Sequence, residues 1–404
     1  MFYIRLRDYV ELFRPSGPLF AFIIPWIVVL IGHQLALCKI IKPTMSIFYL
    51  VIIGNMLSAL IIAFLVQTFF PKNLAYNQTG IDDTFISRHF KRATYGVLIF
   101  YLSAQAFQVL YMKGFPLLWI IIGDTKTYID YGIQSLNGLL NALYLLSTTC
   151  FCLYYLKNKS RGKLLFLLFL MTIPLMLVNR QILISVCLQM SCCCLIYNPK
   201  SIKKFTWLGV MILALFIFIG NIRTGLEHLV KILQPEPYIP ESLHSLLWIY
   251  AYIVTPFNNV NAAIDSINPA GFPYMELNTL IPSTLRGYLS LNIEEINTGF
   301  KLVHQNMNVS TFYLSPILDF GAFYAFALMC FVQLFLITAY RRAMTTKLPY
   351  DIVRYSILYM IVILSIFDNL LFALPVVFQL FILPVLRIGL ARKKDFFYLK
   401  QYSG

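Results

Sequence analysis

Apolar residues fill this chain in long uninterrupted runs, and charged residues gather between those runs. A bilayer core of about 30 Å needs roughly 20 apolar residues of helix, so runs of about 15 to 25 residues bounded by charge predict membrane spans. Lipid offers no partner to unpaired backbone groups, which makes each span helical. We therefore predict an all-α, polytopic membrane protein with about ten transmembrane helices. The predicted spans are 15–37, 46–69, 94–112, 136–156, 164–178, 182–198, 205–221, 312–340, 353–367 and 371–386.

The apolar stretch 164–198 is too long to be one span. A single helix of its roughly 35 residues would extend about 52 Å, which tilting cannot absorb. Basic residues flank it on both sides, so both flanks belong on the same face of the membrane. We expect a helical hairpin that turns at 179–181, with Pro174 shortening or kinking its first arm.

The basic residues set the orientation. With the N-terminus in the cytoplasm, 23 of the 32 Lys and Arg residues lie in cytoplasmic segments. This bias follows the positive-inside rule and places both termini in the cytoplasm. The predicted organisation is a set of seven spans in 1–221, a large extracytoplasmic loop in 222–311, and three further spans with a cytoplasmic tail in 312–404.

Composition narrows the function classes. Of the 404 residues, 59% are hydrophobic and only 12% are charged, which excludes an ordinary soluble protein and a disordered one. The net charge of +15 comes from short clusters between spans, so it indicates membrane topology and gives no reason to expect a nucleic-acid partner. The eight cysteines lack metal-ligand spacing, so we expect packing residues and no metal site.

The long loop 222–311 is rich in proline and asparagine but contains one helical pattern. Because this pattern is too short to span a bilayer, we expect an amphipathic helix that lies on the membrane and roofs the space below. The shorter loop 113–135 is a candidate lining of the same space. The helical pattern comprises Leu243, Leu246, Leu247, Tyr250, Ile253 and Val254.

Three arginines at extracytoplasmic positions are candidate anion ligands. Arg180 lies between two apolar runs, where an arginine is costly and by default indicates function. Arg223 follows the seventh span at the same predicted depth, and Arg286 is a third candidate. Two guanidinium groups at one depth could hold a diphosphate. The alternative is that Arg180 only extends toward lipid headgroups.

Proton acceptors are harder to assign from the sequence. His304 and His244 lie in the long loop, where a histidine is often only a surface residue. Asp319 is predicted within the eighth span, whereas Asp368 is predicted at a hydrated turn. No Walker loop, dinucleotide fingerprint, zinc-protease motif or serine-hydrolase elbow is present, so no cofactor is expected. The chemistry should therefore occur outside the cytoplasm, with its energy carried in the substrate.

Short motifs resemble those of the bacterial oligosaccharide repeat-unit polymerases, the Wzy-type O-antigen or capsule polymerases. They are Asn179-Arg180 at the hairpin turn, Arg223 at the start of the long loop, and the run that reads Asn308-Val-Ser-Thr311-x-x-x-x-Pro316-x-x-Asp319-x-Gly321. This last run also resembles a pattern of the related O-antigen ligases, including its tyrosine at Tyr313. In this chain Ser310 replaces the histidine of that pattern.

The resemblance implies a GT-C-like helical glycosyltransferase in the bacterial inner membrane. Its substrates would be undecaprenyl-diphosphate-linked oligosaccharides, and a chain-length regulator is a further partner that the resemblance allows. Arg180 and Arg223 would stabilise the departing diphosphate without a metal, and Asp319 or His304 would accept the proton. The residues expected to bind substrate are Arg286, Asn179, Asn308, Thr311 and Tyr313.

Two other functions fit parts of the sequence. A flippase or another transporter of lipid-linked oligosaccharides usually has repeated halves and short loops, whereas this chain has one long loop. A ligase that joins the glycan to another lipid is the nearest enzymatic alternative, and the missing histidine argues against it. A membrane scaffold without catalytic activity would leave Arg180 unexplained.

Overall fold

The computed structural model of the protein describes residues 9–69, 83–126, 130–199, 207, 209–210, 214, 217, 221, 225–286 and 298–389, with backbone alone at 83–87 and 388–389. These residues are predominantly helical, and no strand occurs among them beyond one isolated bridge between Cys38 and Pro235. The all-α prediction is therefore confirmed for the described part of the chain.

Fifteen α-helices with defined bounds lie in these ranges, and a membrane-length helix alternates with a short connection over most of the chain. They are α1 (Pro18–Leu35), α2 (Ile47–Phe69), α3 (Asp83–Met112), α4 (Pro116–Ile122), α5 (Leu136–Lys157), α6 (Arg161–Met176), α7 (Arg180–Tyr197), α8 (Leu226–Leu233), α9 (Leu247–Ala263), α10 (Tyr274–Leu280), α11 (Ser283–Arg286), α12 (Leu314–Phe320), α13 (Ala322–Thr346), α14 (Pro349–Ile363) and α15 (Leu374–Gly389).

Seven helical segments within the described ranges are long and apolar enough to cross a membrane. They are α1, α2, a stretch from Arg88 to Ile122 that covers most of α3 and all of α4, α5, α7, α13, and α14 with the short 3-10 turn after it. Helix α15 is apolar but shorter, and α6 has 16 residues. The predicted span 205–221 falls mostly outside the described residues. A polytopic membrane protein is thus confirmed, and the count of ten spans stays a prediction.

Outward-facing side chains on these helices are strongly apolar. Leu57 and Phe64 of α2, Leu165 of α6, and Phe331 and Phe335 of α13 all expose more than 40% of their surface. A soluble monomer rarely leaves such continuous apolar surface in water. These faces are the ones that lipid would cover.

The connections between the helices lie at two opposite ends of the bundle, and hydrogen bonds link them at each end. At the loop end, Glu236 N donates to Leu37 O, and Phe312 N donates to Ser365 O. At the basic end, Tyr340 donates to the backbone of Glu11. The loop end comprises 36–46, 113–126, 130–135, 177–179, 225–286, 298–321 and 364–373. The basic end comprises 9–17, 88–92, 158–163, 341–354 and 386–389.

Polar side chains link the helices inside the bundle. Thr149 of α5 donates to Gln189 of α7, and Gln189 donates through Nε2 to Gln379 of α15 at 3.1 Å. Both glutamines are fully buried. Such bonds between helices help to fix which faces pack together when water is absent.

Helices α6 and α7 form the hairpin that the sequence predicts. The break lies at residues 177–179, so the turn begins two residues earlier than expected. Asn179 N and Val178 N donate to backbone oxygens of Pro174 and Leu175. Val178 adopts a left-handed backbone conformation with φ +53°, which is a strained position for a β-branched residue.

Replacing Val178 with glycine is expected to stabilise the protein. The left-handed conformation destabilises the folded state by about 1 to 2 kcal/mol for a residue other than glycine. Glycine has greater conformational entropy in the unfolded chain, which offsets about 0.5 to 1 kcal/mol of the gain. We expect a net gain of about 1 kcal/mol. The midpoint of thermal unfolding in detergent can be followed with a thiol-reactive dye, because seven of the eight cysteines are buried. Val178→Ala, which keeps the strain, should show no gain, and a lower midpoint for Val178→Gly would contradict the strain argument.

Helix α9 corrects the prediction of an amphipathic helix on the membrane surface. Twelve of its seventeen residues are buried, and it packs against α1 and α2 within the main core. Phe257 contacts the rings of Trp26 and Phe48 at centroid distances of 6.4 and 5.0 Å. Helix α9 therefore shares a core with the bundle, with apolar contacts on one side and polar contacts on another.

Three asparagines of α9 bind backbone groups of two connections. Asn258 donates to Ile40 O, Asn259 to Met307 O and Asn261 to Thr44 O. Asn258 also contacts the buried imidazole of His33 at 3.1 Å. The polar residues that would have faced water in a surface helix instead satisfy backbone carbonyls.

The predicted span 312–340 is divided in the structure. A short helix, α12, ends at Phe320, Gly321 follows as its C-cap, and the membrane-length helix α13 begins at Ala322. Gly321 has φ +89° and ψ 177°, a region that is essentially reserved for glycine. The apolar run continues through this break, so hydrophobicity alone does not reveal it.

Candidate functional site

Two of the motifs that carry the resemblance meet at one turn of the loop end. Phe312 N donates to Ser365 O at 2.7 Å, and Asn369 Nδ2 donates to Ser315 Oγ at 2.8 Å. From the other side, Gln181 Nε2 approaches Asp368 Oδ2 at 3.4 Å. We call segments 179–181, 311–319 and 365–369 the three-segment site. These segments are separated by about 50 to 130 residues in sequence, and the fold brings them together.

Asn179 and Arg180 have distinct positions at the start of α7. Asn179 Oδ1 accepts the backbone N–H of Ile182 at 3.1 Å, so Asn179 acts as the N-cap of the helix. Arg180 is the first helical residue and is partly exposed. Its guanidinium therefore adds to the positive end of the helix dipole, and both favour an anion at this position.

Asp319 lies below the surface and holds α10 in place. Its two carboxylate oxygens accept the backbone N–H groups of Met275 and Glu276 at 3.0 and 3.1 Å. The side chain has no exposed surface. Burial raises the pKa of Asp319, and the two backbone hydrogen bonds oppose that shift. The acid and the glycine of the Asp319-x-Gly321 pattern thus each have a definite structural role.

Glu276 is the ionisable residue at the loop end that the sequence analysis missed. One of its oxygens accepts a hydrogen bond from Tyr324 Oη at 3.2 Å, and the other, Oε1, is buried and has no hydrogen-bond partner among the described residues. Burial first, and the nearby Asp319 charge second, raise the pKa of Glu276 to about 7. Nothing in the sequence distinguishes Glu276 from the other 16 acidic residues, because its pairing with Asp319 depends on the fold.

Replacing Glu276 with glutamine is expected to remove part of the pH dependence of stability. The folded protein binds the Glu276 proton more tightly than the unfolded chain, so this group destabilises the fold increasingly as pH rises from about 4.5 to about 7. The loss reaches roughly 3 kcal/mol at most. Thermal midpoints should show Glu276→Gln more stable than the unmodified protein at about pH 8, and nearly equal to it at about pH 5. Equal midpoints at both pH values would contradict the raised pKa.

Tyr313 and Thr311 lie inside the protein. Tyr313 is fully buried, and its ring meets those of Trp26 and Phe48 edge to face at 5.4 and 5.6 Å. Thr311 is also buried, and its hydroxyl accepts the backbone N–H of Tyr313 at the start of α12. The structure thus does not bring these two predicted substrate-binding residues to a surface. Their positions fix the entry to α12.

The remaining predicted site residues lie elsewhere at the loop end. His304 is partly exposed, and its Nδ1 accepts the backbone N–H of Asn306, which leaves Nε2 as a donor in the neutral ring. Asn308 is exposed. Arg286 Nε donates to Ile281 O within its own segment. Arg223 lies outside the described residues.

Connection 113–135 also reaches this end of the bundle. The Ser135 hydroxyl lies 3.0 Å from the Thr284 hydroxyl on α11, the short helix that ends at Arg286. Lys126 lies over the ring of Trp119 at 5.2 Å. The connection is therefore adjacent to Arg286, although the bonds that define the three-segment site do not include it.

The helices, their apolar outer faces and the polar loop end define the class of this protein as an all-helical, polytopic membrane protein. Comparisons with family models, with curated proteins and with solved structures find no match for this chain.

Proposed function

We propose that this protein is a membrane glycosyltransferase that polymerises oligosaccharide repeat units carried on undecaprenyl diphosphate. One observation supports this most strongly. Gln181, which directly follows the Asn179-Arg180 motif, and the 308–321 run, which also carries the resemblance to repeat-unit polymerases, both contact the 365–369 turn. In this proposal the loop end faces the extracytoplasmic side of the bacterial inner membrane, as the distribution of basic residues predicts.

The proposed reaction moves a growing glycan from one lipid carrier to the next repeat. The bond between the anomeric carbon of the donor glycan and the diphosphate oxygen breaks, and a hydroxyl of the acceptor repeat forms the new glycosidic bond. Undecaprenyl diphosphate leaves with the electron pair, so negative charge grows on its oxygens. Arg180 at the positive end of α7, with Arg223 and Arg286, would stabilise that charge.

The acceptor hydroxyl must also lose its proton. Among the described residues we assign this step to Glu276, whose carboxyl group lies beside that of Asp319. A pKa of about 7 at Glu276 suits a group that takes a proton near neutral pH. The pair is covered in this conformation, so binding of the acceptor has to open the segment around α10. Asp319, with both oxygens bonded, positions Glu276.

Reconstitution of the purified protein tests the proposal. Proteoliposomes would receive lipid-diphosphate-linked repeat units on the side that the loop end faces, and the products would be separated by size. The expected result is a ladder of longer lipid-linked glycans with release of one undecaprenyl diphosphate for each bond formed. Glu276→Gln should lower the rate at pH 7 while the fold is retained.

Two other outcomes would contradict the proposal and support a different function. Movement of unmodified repeat units across the bilayer, without any ladder, would favour a flippase. Transfer of single glycans to a different lipid acceptor would favour a ligase. In cells, a null strain that still displays single repeats on its outer face supports the polymerase, and their absence supports the flippase.

A further inference from the structure

A cluster of arginines at the basic end surrounds a single buried carboxylate. Asp351 Oδ1 lies 3.0 Å from Arg342 Nε and 3.9 Å from Arg387 Nη1. Its other oxygen accepts a hydrogen bond from Thr346. Arg354, one helical turn further along α14, interacts electrostatically with all three charged residues. We call Arg342, Arg354, Arg387 and Asp351 the arginine cluster.

The charges in this cluster do not balance. Three guanidinium groups and one carboxylate leave a formal charge of +2, and no further acidic side chain interacts with Arg354 in the described part of the chain. The Asp351 side chain is 1% exposed, whereas those of Arg342 and Arg387 are 50% and 25% exposed. Asp351 therefore contacts the buried sides of the guanidinium groups. Their exposed sides face outward, where a second anion can bind. Planar guanidinium groups match the oxygens of a phosphate.

Closely packed side chains lie beside the cluster. They come from α3, α5, α14 and α15, leave no space for a water molecule between them, and include Phe90, Val97, Leu146, Tyr350 and Leu386. Tyr350 precedes Asp351 in sequence, and Leu386 precedes Arg387. Arg387 also interacts electrostatically with Tyr350. The arginine cluster is thus contiguous with the apolar packing of these helices.

We propose that the arginine cluster binds the phosphate of an anionic phospholipid whose acyl chains lie against the apolar outer faces of the membrane helices. Basic pockets between membrane helices are suited to anionic headgroups. A phosphate site at the ends of membrane helices, whose outer faces are apolar, matches a lipid better than a free anion. This proposal does not depend on the polymerase activity, since the cluster is at the opposite end of the bundle.

Lipid binding to the purified full chain tests this site. The protein in neutral detergent would be titrated with phosphatidylglycerol, with phosphatidylcholine as the uncharged comparison, and bound lipid would be counted by native mass spectrometry. We expect retention of one phosphatidylglycerol in preference to phosphatidylcholine. Arg387→Gln, which leaves Asp351 paired with Arg342, should weaken that binding about fivefold, the effect expected for one basic residue near a membrane surface. Arg161→Gln, an exposed arginine at the same end, should not change it.

A further measurement separates the lipid from other anions. Glycerol phosphate, which lacks acyl chains, should bind far more weakly than phosphatidylglycerol. Equal binding of glycerol phosphate would indicate a free-phosphate site and overturn the proposal. Equal retention of both lipids, or an unchanged affinity in folded Arg387→Gln, would also overturn it.

Discussion

Replacing Arg180 with alanine should leave the protein in the membrane at its normal level but reduce the products to single repeats. The side chain lies at the first position of α7 beside its N-cap, where the helix dipole already favours an anion. Loss of one donor that stabilises developing negative charge typically lowers a rate by about 10² to 10³. Arg180→Lys should keep the charge but lose the planar fork, so its rate should be intermediate. The measurement is the length distribution of lipid-linked glycan, with protein amounts determined in the same membranes.

A matched control distinguishes this effect from a general loss of positive charge. Lys39 is exposed at the same end of the bundle, so Lys39→Ala removes one charge without touching the three-segment site. That variant should make polymers of normal length. Arg223→Ala should behave like Arg180→Ala. Normal long polymers from both arginine variants would remove the basis of the proposed function.

Replacing Asp319 with alanine should have the largest effect on stability. The substitution leaves the backbone N–H groups of Met275 and Glu276 without their acceptors in a buried position. Each unsatisfied donor costs about 1 to 3 kcal/mol, so we expect a loss of about 2 to 5 kcal/mol, reduced in part because the repulsion with Glu276 disappears. A buried-thiol melting assay should show a clearly lower unfolding midpoint, together with earlier proteolysis near α10.

Asp319→Asn provides the comparison that keeps this prediction testable if the alanine variant does not fold. Its amide oxygen can accept one of the two N–H groups, so its unfolding midpoint should lie between those of Asp319→Ala and the unmodified protein. An unchanged midpoint in Asp319→Ala would show that the carboxylate does not hold α10. A folded Asp319→Asn that retains transfer would agree with a positioning role for Asp319.

The hairpin of α6 and α7 shows what local sequence predicts well. Its break followed from length, basic flanks and Pro174, all of which are properties of one stretch of chain. The end of α12 at Gly321 did not follow, because the apolar run gives no sign of the backbone conformation that ends the helix there. Helix α9 was found by its apolar spacing, but its packing inside the bundle was not predicted, since the partners of its asparagines lie in two distant connections.

The candidate site was predictable only in part for the same reason. Arg180 was singled out by its sequence alone, because a charge between apolar runs is costly wherever the chain folds. Glu276 could not be singled out, because its raised pKa depends on burial beside Asp319, 43 residues away. In the sequence, the arginines of the arginine cluster were recognisable only as basic residues in segments predicted to be cytoplasmic.

The sequence by itself determined that this is a helical membrane protein, and where most of its membrane helices begin and end. Inside a bilayer each helix must satisfy its own backbone hydrogen bonds. The hydrophobicity and length of one segment therefore predict a membrane helix without information about the rest of the fold. The tertiary structure decided which polar residues meet: Arg180's turn with the 365–369 turn, Glu276 with Asp319, and three arginines around Asp351. Those contacts depend on how the helices pack side by side, and the pattern along any single helix does not contain that information.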